Sequence, residues 1–230
     1  MRPIRPGALL SGALLAAATL GAQRPGERLP FGLVAGRHDV SVRTLSNGGP
    51  ASTAWYPAAC GRRPAVPAIP CRNAAPDSGR SPLLILGSGG RAIEDTARGL
   101  YFASHGYIVV LGGGFAEALA VGRTLPFVDT TQIVAAGAGA TSVPGARAMV
   151  EFDPSRVAPS QAVIPTLFWG PARGDSSGTS WFVDLPSGPS NHSRLISAVS
   201  HAFFDAALGR GSITVEDLVG RLHRAGLVTR

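Results

Sequence analysis

Three short apolar runs in this chain each end in a cluster of small residues. Pro82 to Leu86 (PLLIL) leads into Gly87-Ser88-Gly89-Gly90, and Tyr107 to Leu111 (YIVVL) into Gly112-Gly113-Gly114. Gln132 to Ala136 (QIVAA) leads into Gly137-Ala138-Gly139-Ala140. Runs of this length without polar alternation belong to strands covered on both faces, the pattern of a parallel sheet. Parallel strands need long return connections, so helices are expected between them. Arg91 to Ser104 fits one: Ala92, Ala97, Leu100, Tyr101 and Ala103 form an apolar stripe, and Glu94 and Asp95 sit where the helix dipole favours acids. His105-Gly106 gives it a stop.

The rest of the chain continues the alternation. Asp39 to Leu45 and Ser52 to Pro57 flank the turn residues Ser46 to Pro50, which predicts an antiparallel pair. Phe115 to Val121 reads as a short helix, Ala162 to Trp169 and Ser180 to Asp184 as strands. Ser193 to Leu208 and Val215 to Gly226 read as closing helices. The expectation is one α/β layered domain over residues 23–230, with a mostly parallel sheet and an N-terminal antiparallel hairpin. Residues 146–152 stay open. As a strand they leave no room for a helix after Ala140; as a helix they leave the sheet one strand short.

Residues 1–22 read as an address. Arg2 and Arg5 precede the 14-residue apolar stretch Gly7 to Leu20, and small Gly21-Ala22 follow. That is the layout of a secretory signal peptide, too short to span a bilayer at the ~20 residues required. The expected location is secreted or periplasmic, without a stable membrane span after signal removal. In an oxidising compartment Cys60 and Cys71 are expected to pair around the Pro- and Arg-rich segment between them. The net charge of +7 comes from 21 basic residues, all Arg, against 14 acids. The arginines are scattered, with no basic stripe interleaved with aromatics, so no nucleic-acid partner is expected. No pair of the five histidines has metal-ligand spacing, and no cofactor or metal is expected.

Three segments, SPLLILGSGG (Ser81 to Gly90), YFASHGYIVV (Tyr101 to Val110) and DTTQIVAAGAGA (Asp129 to Ala140), in this order, resemble the α/β-hydrolase fold. They are similar in particular to the dienelactone-hydrolase-like and platelet-activating-factor-acetylhydrolase-like bacterial esterases. LPFG (Leu29 to Gly32), VRTL (Val42 to Leu45) and AWYPA (Ala54 to Ala58) look like that group's first hairpin. The resemblance implies serine hydrolysis of carboxylic esters, with a nucleophile on a sharp strand-to-helix turn, a His base and an acid that orients it.

Laying the G-x-S-x-G motif over Gly137-Ala138-Gly139-Ala140-Thr141 puts Gly139 in the nucleophile position. Glycine has no side chain to attack a carbonyl, so the expectation is a weak or inactive hydrolase. Ser88 and Ser142 are the substitute nucleophiles. The resemblance assigns Ser88, Gly89 and Ala140 to the oxyanion side, Asp175 to the acid and His192 to the base. Asp153 and Asp184 are rival acids. His105 reads as part of a helix stop, His201 as a helix residue, and His38 and His223 as surface residues. The implied partner is a small acyl or ester ligand. The other readings are an active serine esterase using Ser88 or Ser142, and a non-catalytic envelope binding or interaction module.

Overall fold

The computed structural model describes residues 29, 31, 33–46, 49–60, 70–88, 92–140, 143–152, 163–170, 179–184 and 192–229. The signal peptide expected over residues 1–22 lies outside them. The elements in chain order are β1 (Val40–Leu45), β2 (Ser52–Pro57), β3 (Cys71–Arg72), β4 (Ser81–Leu86), α1 (Ala92–Ser104), β5 (Ile108–Leu111) and α2 (Phe115–Arg123). They continue with β6 (Val128–Ala136), β7 (Ala148–Glu151), β8 (Thr166–Trp169), β9 (Ser180–Val183), α3 (His192–Ala207), α4 (Val215–Arg224) and β10 (Val228–Thr229).

One ten-stranded sheet has the order β10-β9-β8-β7-β6-β4-β5-β2-β1-β3. Strands β5, β4, β6, β7, β8 and β9 run parallel, and the β1–β2 hairpin adds antiparallel through β2. This is the α/β layered architecture with an N-terminal hairpin that the apolar runs imply. Strand β4 shows why. Leu83, Leu84 and Ile85 are each 0% exposed, so both faces are covered. Leu84 and Leu86 point into one core with Trp55, Leu100, Val134 and Phe204. Leu83 and Ile85 point into the other with Tyr56, Leu119 and Ala135. The period of two sends alternate residues to α1, α3 and α4 on one side and α2 on the other.

Two strand boundaries move. Strand β6 begins at Val128, which pairs with Ser81, and a register shift between Pro82 and Leu83 separates that start from the apolar run at Ile133. Strand β8 begins at Thr166, after Pro165, whose nitrogen has no hydrogen for a ladder. The open stretch resolves as a strand, β7, parallel to β6. Residues 137–147 therefore carry the chain between two adjacent parallel strands without an α-helix in their described part. Single-turn bonds hold it instead: Ala140 N–H to Gly137 O, Val143 to Ala140 and Ala146 to Val143.

Cys60 and Cys71 form a disulfide, which ties β3 beside β1. Helix α4 opens with a capping box in which Thr214 and Asp217 satisfy each other's backbone amides. Among the described residues no helix is long and apolar enough to cross a membrane.

Candidate functional site

Open parallel sheets place their crevices at the carboxyl ends of the strands. At that end of β6 the chain turns through Gly137 and Gly139, both with positive φ, +133° and +87°. A Cβ on Gly137 would lie 2.8 Å from the Gly87 Cα, so the tips of β4 and β6 touch only because neither turn carries a side chain there. Gly139 differs: a Cβ there would meet nothing nearer than Phe115 Cε2, at 3.8 Å. The expected nucleophile position thus has space for a side chain and holds none.

The turn is held by groups the sequence did not single out. The Gly139 amide donates to both oxygens of Glu151, at 3.0 Å to Oε1 and 2.8 Å to Oε2. Glu151 ends β7 and is 0% exposed. Ala140, assigned to the oxyanion side, is buried, and its amide donates 3.2 Å to the Gly137 carbonyl across the turn.

Ser88 lies just past β4 and is exposed; its hydroxyl donates 3.0 Å to Asp95 Oδ2 on the first turn of α1. Asp95 is only 2% exposed, and Arg98 Nη1 stands 3.8 Å from its other oxygen. The Arg98 guanidinium also reaches Glu94 at 3.4 Å and lies 5.1 Å over the Phe152 ring. Burial lowers the Arg98 pKa, and the two acids oppose that shift.

His192 is the first residue of α3, which packs on β7, β8 and α1. Because α3 follows β9, its N-terminus and His192 lie at the same sheet end as Gly139. Asp184 follows β9, and its amide donates to the Leu227 carbonyl at 2.9 Å. Asp175, Ser142, Gly89 and Asp153 lie outside the described residues.

The remaining histidines gather elsewhere. His105 and His201 meet with ring centroids 4.4 Å apart and ring planes tilted by 59°, near the amino end of β5, the opposite end of the parallel strands. His105 donates from Nδ1 to the Tyr101 carbonyl at 2.8 Å, which is the helix stop expected of it. His201 Nε2 lies 3.2 Å from Asp205 Oδ2, and Tyr107 donates to the other Asp205 oxygen at 2.6 Å. His38 is not a bare surface residue as expected; it is half-buried, with Nδ1 2.9 Å from Asp77, because β1 starts beside the turn that carries Asp77. His223 is exposed on α4. Among the described residues no group of His, Cys, Asp and Glu is placed to hold a metal ion.

Glu151 and Asp95 are the site groups that sequence reasoning missed. The available signal was a carboxylate inside an apolar segment: AMVEF for Glu151, and the inward stripe of α1 for Asp95. A buried acid needs partners, and these two have them.

No family model matches the chain, and no curated protein sequence does. Among solved structures the chain is similar to the ferulic acid esterase from Streptomyces cinnamoneus, with a TM-score of 0.58 and 18% identity. The match covers 81% of this chain and 94% of that one. The likeness is one of fold: this chain has the layered α/β architecture on which that esterase is built.

Proposed function

We propose that this chain is an exported protein on the ester-hydrolase scaffold that holds a small acyl or ester ligand without forming an acyl-enzyme. One observation carries the reading. Gly139 occupies the turn after β6 where the fold keeps a nucleophile, and its amide is bound to the buried Glu151. A glycine offers no oxygen, and the amide next to it, on Ala140, is engaged with Gly137. Both halves of acyl-transfer chemistry, nucleophile and free oxyanion donor, are weakened in one turn. The Cys60–Cys71 disulfide and the signal-like segment over residues 1–22 support export.

The dienelactone-hydrolase-like resemblance, with His192 as base and Asp175 as acid, belongs to the same proposal. His192 at the head of α3 supports it. A fluorophosphonate probe followed by mass spectrometry tests the inert reading: no serine is expected to label. An adduct on Ser88 or Ser142 would overturn it in favour of a working esterase. The Ser88 reading has its own support, since Ser88 is exposed and bonded to a buried carboxylate. Gly139→Ser is expected to gain hydrolysis of an activated ester such as p-nitrophenyl butyrate. No gain would favour the non-catalytic envelope module.

A further inference from the structure

A cleft of about 570 Å³ opens beside Ser88, within the ~300–1,000 Å³ range of small-molecule sites. Its sheet wall is Leu111, Trp55 and Val42, brought side by side by register: Thr53 stands opposite Leu111, and Val42 opposite Trp55. Its helix wall is Ala92, Thr96 and Leu100, at steps of four along one face of α1. The eight steps from Ala92 to Leu100 give the wall a length of about 12 Å at ~1.5 Å per step.

The polar groups are unevenly placed. Ser88 and Asp95 sit at the end nearest the turn after β6, and Arg72 lies on the far rim on β3. Strand β3 is three strands beyond β5, about 14 Å at ~4.8 Å per strand. The two ends differ in what they favour. Among the described residues, Asp95 and Glu94 share one buried cation, Arg98, which leaves this end net negative, so a further negative charge is disfavoured there. Arg72 is exposed, where an ion pair contributes only about 0–1 kcal/mol. A carboxylate accepts at up to about four lone-pair sites, and a hydroxyl oxygen accepts as well, so this end suits a donor head.

We propose that the cleft binds a neutral amphiphile with a free hydroxyl head, a medium-chain alcohol of the kind esters are built from, and not a free carboxylate. The hydroxyl donates to the Ser88–Asp95 pair, and the chain lies along Trp55, Leu100 and Leu111. This deepens the reading above and rests on its claim that a ligand is held.

The test measures binding of 1-octanol and of octanoate to the full chain by calorimetry and by Trp fluorescence. Octanol is expected to bind at least about tenfold more tightly than octanoate. Thr96→Trp, which fills the cleft from an exposed helix position, is expected to weaken octanol by about tenfold while leaving thermal unfolding in place. Asp95→Asn is expected to narrow the gap between the two ligands.

Equal binding of octanoate, or octanol binding indifferent to Thr96→Trp, would overturn the proposal. So would octanoate binding that is lost on Arg72→Gln, since that places the head at the other end. A serine labelled by fluorophosphonate defeats the inert reading alone, since octanol binding is measured on the unlabelled protein. Absence of octanol binding without any label defeats the cleft alone.

Discussion

The amide of Gly139 donates to both oxygens of Glu151, joining the turn after β6 to the last residue of β7. In a chain with no α-helix in the described part of residues 137–147, this bond replaces the anchor that a crossover helix would give. Removing one partner of a buried hydrogen bond leaves the other unsatisfied. Glu151→Ala leaves the Gly139 amide without this acceptor and is therefore expected to destabilise the fold by roughly 1–3 kcal/mol, and Glu151→Gln by less. Denaturant unfolding measures both; a Glu151→Ala variant as stable as the parent defeats the clamp.

At Gly139 the space is open and the backbone is not. A residue held at positive φ costs about 1–3 kcal/mol, so Gly139→Ser and Gly139→Ala are expected to lose that much by strain alone. Their equal loss in urea titrations would show that the serine hydroxyl meets no clash. A loss far above that range for serine only would contradict the open geometry.

Gly137→Ala meets a different obstacle. Its Cβ would press on the Gly87 backbone at 2.8 Å, and backbone cannot swing away as a flexible side chain does. A loss of about 1–3 kcal/mol from overpacking is expected on top of the strain at φ +133°. Amide exchange should report it as faster opening at the tips of β4 and β6, and unchanged exchange there would contradict the close approach.

The His105–His201 pair sets a pH dependence. Burial lowers the His105 pKa below its usual 6.5, opposed by the bond to the Tyr101 carbonyl, while the neighbouring His201 lowers it further. The fold therefore favours neutral His105. This stability is fully present above pH 6.5 and declines as the pH falls below it, because the unfolded chain takes up the proton first. His105→Gln is expected to flatten the decline in thermal midpoint between about pH 6.5 and 5. Asp205 acts lower: burial pushes its pKa up, but bonds from His201 and Tyr107 outweigh that and hold it below 3.8. Its contribution persists above pH 3.8 and is lost only as the pH falls through that depressed value. An unchanged profile in His105→Gln would rule out this histidine as the source.

Reducing the Cys60–Cys71 disulfide releases a short loop, with 11 residues of sequence separation. Chain entropy gives a loss of about 2–3 kcal/mol for a loop of this size. The Cys60→Ser/Cys71→Ser variant should show it in thermal unfolding, and reductant should shift the parent by the same amount and the variant not at all. A reductant effect on the variant would place the cause elsewhere.

The layered fold was legible because its signal is local. Pro82 to Leu86 and Tyr107 to Leu111 are short, apolar on both faces and closed by glycines, the pattern of a covered strand. The hairpin was legible from Ser46 to Pro50 between two extended stretches. The start of β6 was not, because Thr130 to Gln132 fall in the register shift between the Asp129 and Ile133 pairs and interrupt the apolar pattern of the strand. The role of His38 was hidden for a related reason: its partner Asp77 is 39 residues away in sequence and arrives only when β1 is in place.

The candidate site divides along the same line. The sequence by itself determined that position 139 has no side chain, since the spacing from the apolar run to Gly137-Ala138-Gly139 needs no third dimension. It also placed Ser88 at a strand end. Only the tertiary structure decided what these two positions meet: Glu151 beneath the Gly139 amide, and Asp95 beneath the Ser88 hydroxyl. The physical reason is that a buried carboxylate is tolerated only where donors converge on it. Gly139 and Glu151 are 12 residues apart and meet because β6 and β7 are paired in parallel.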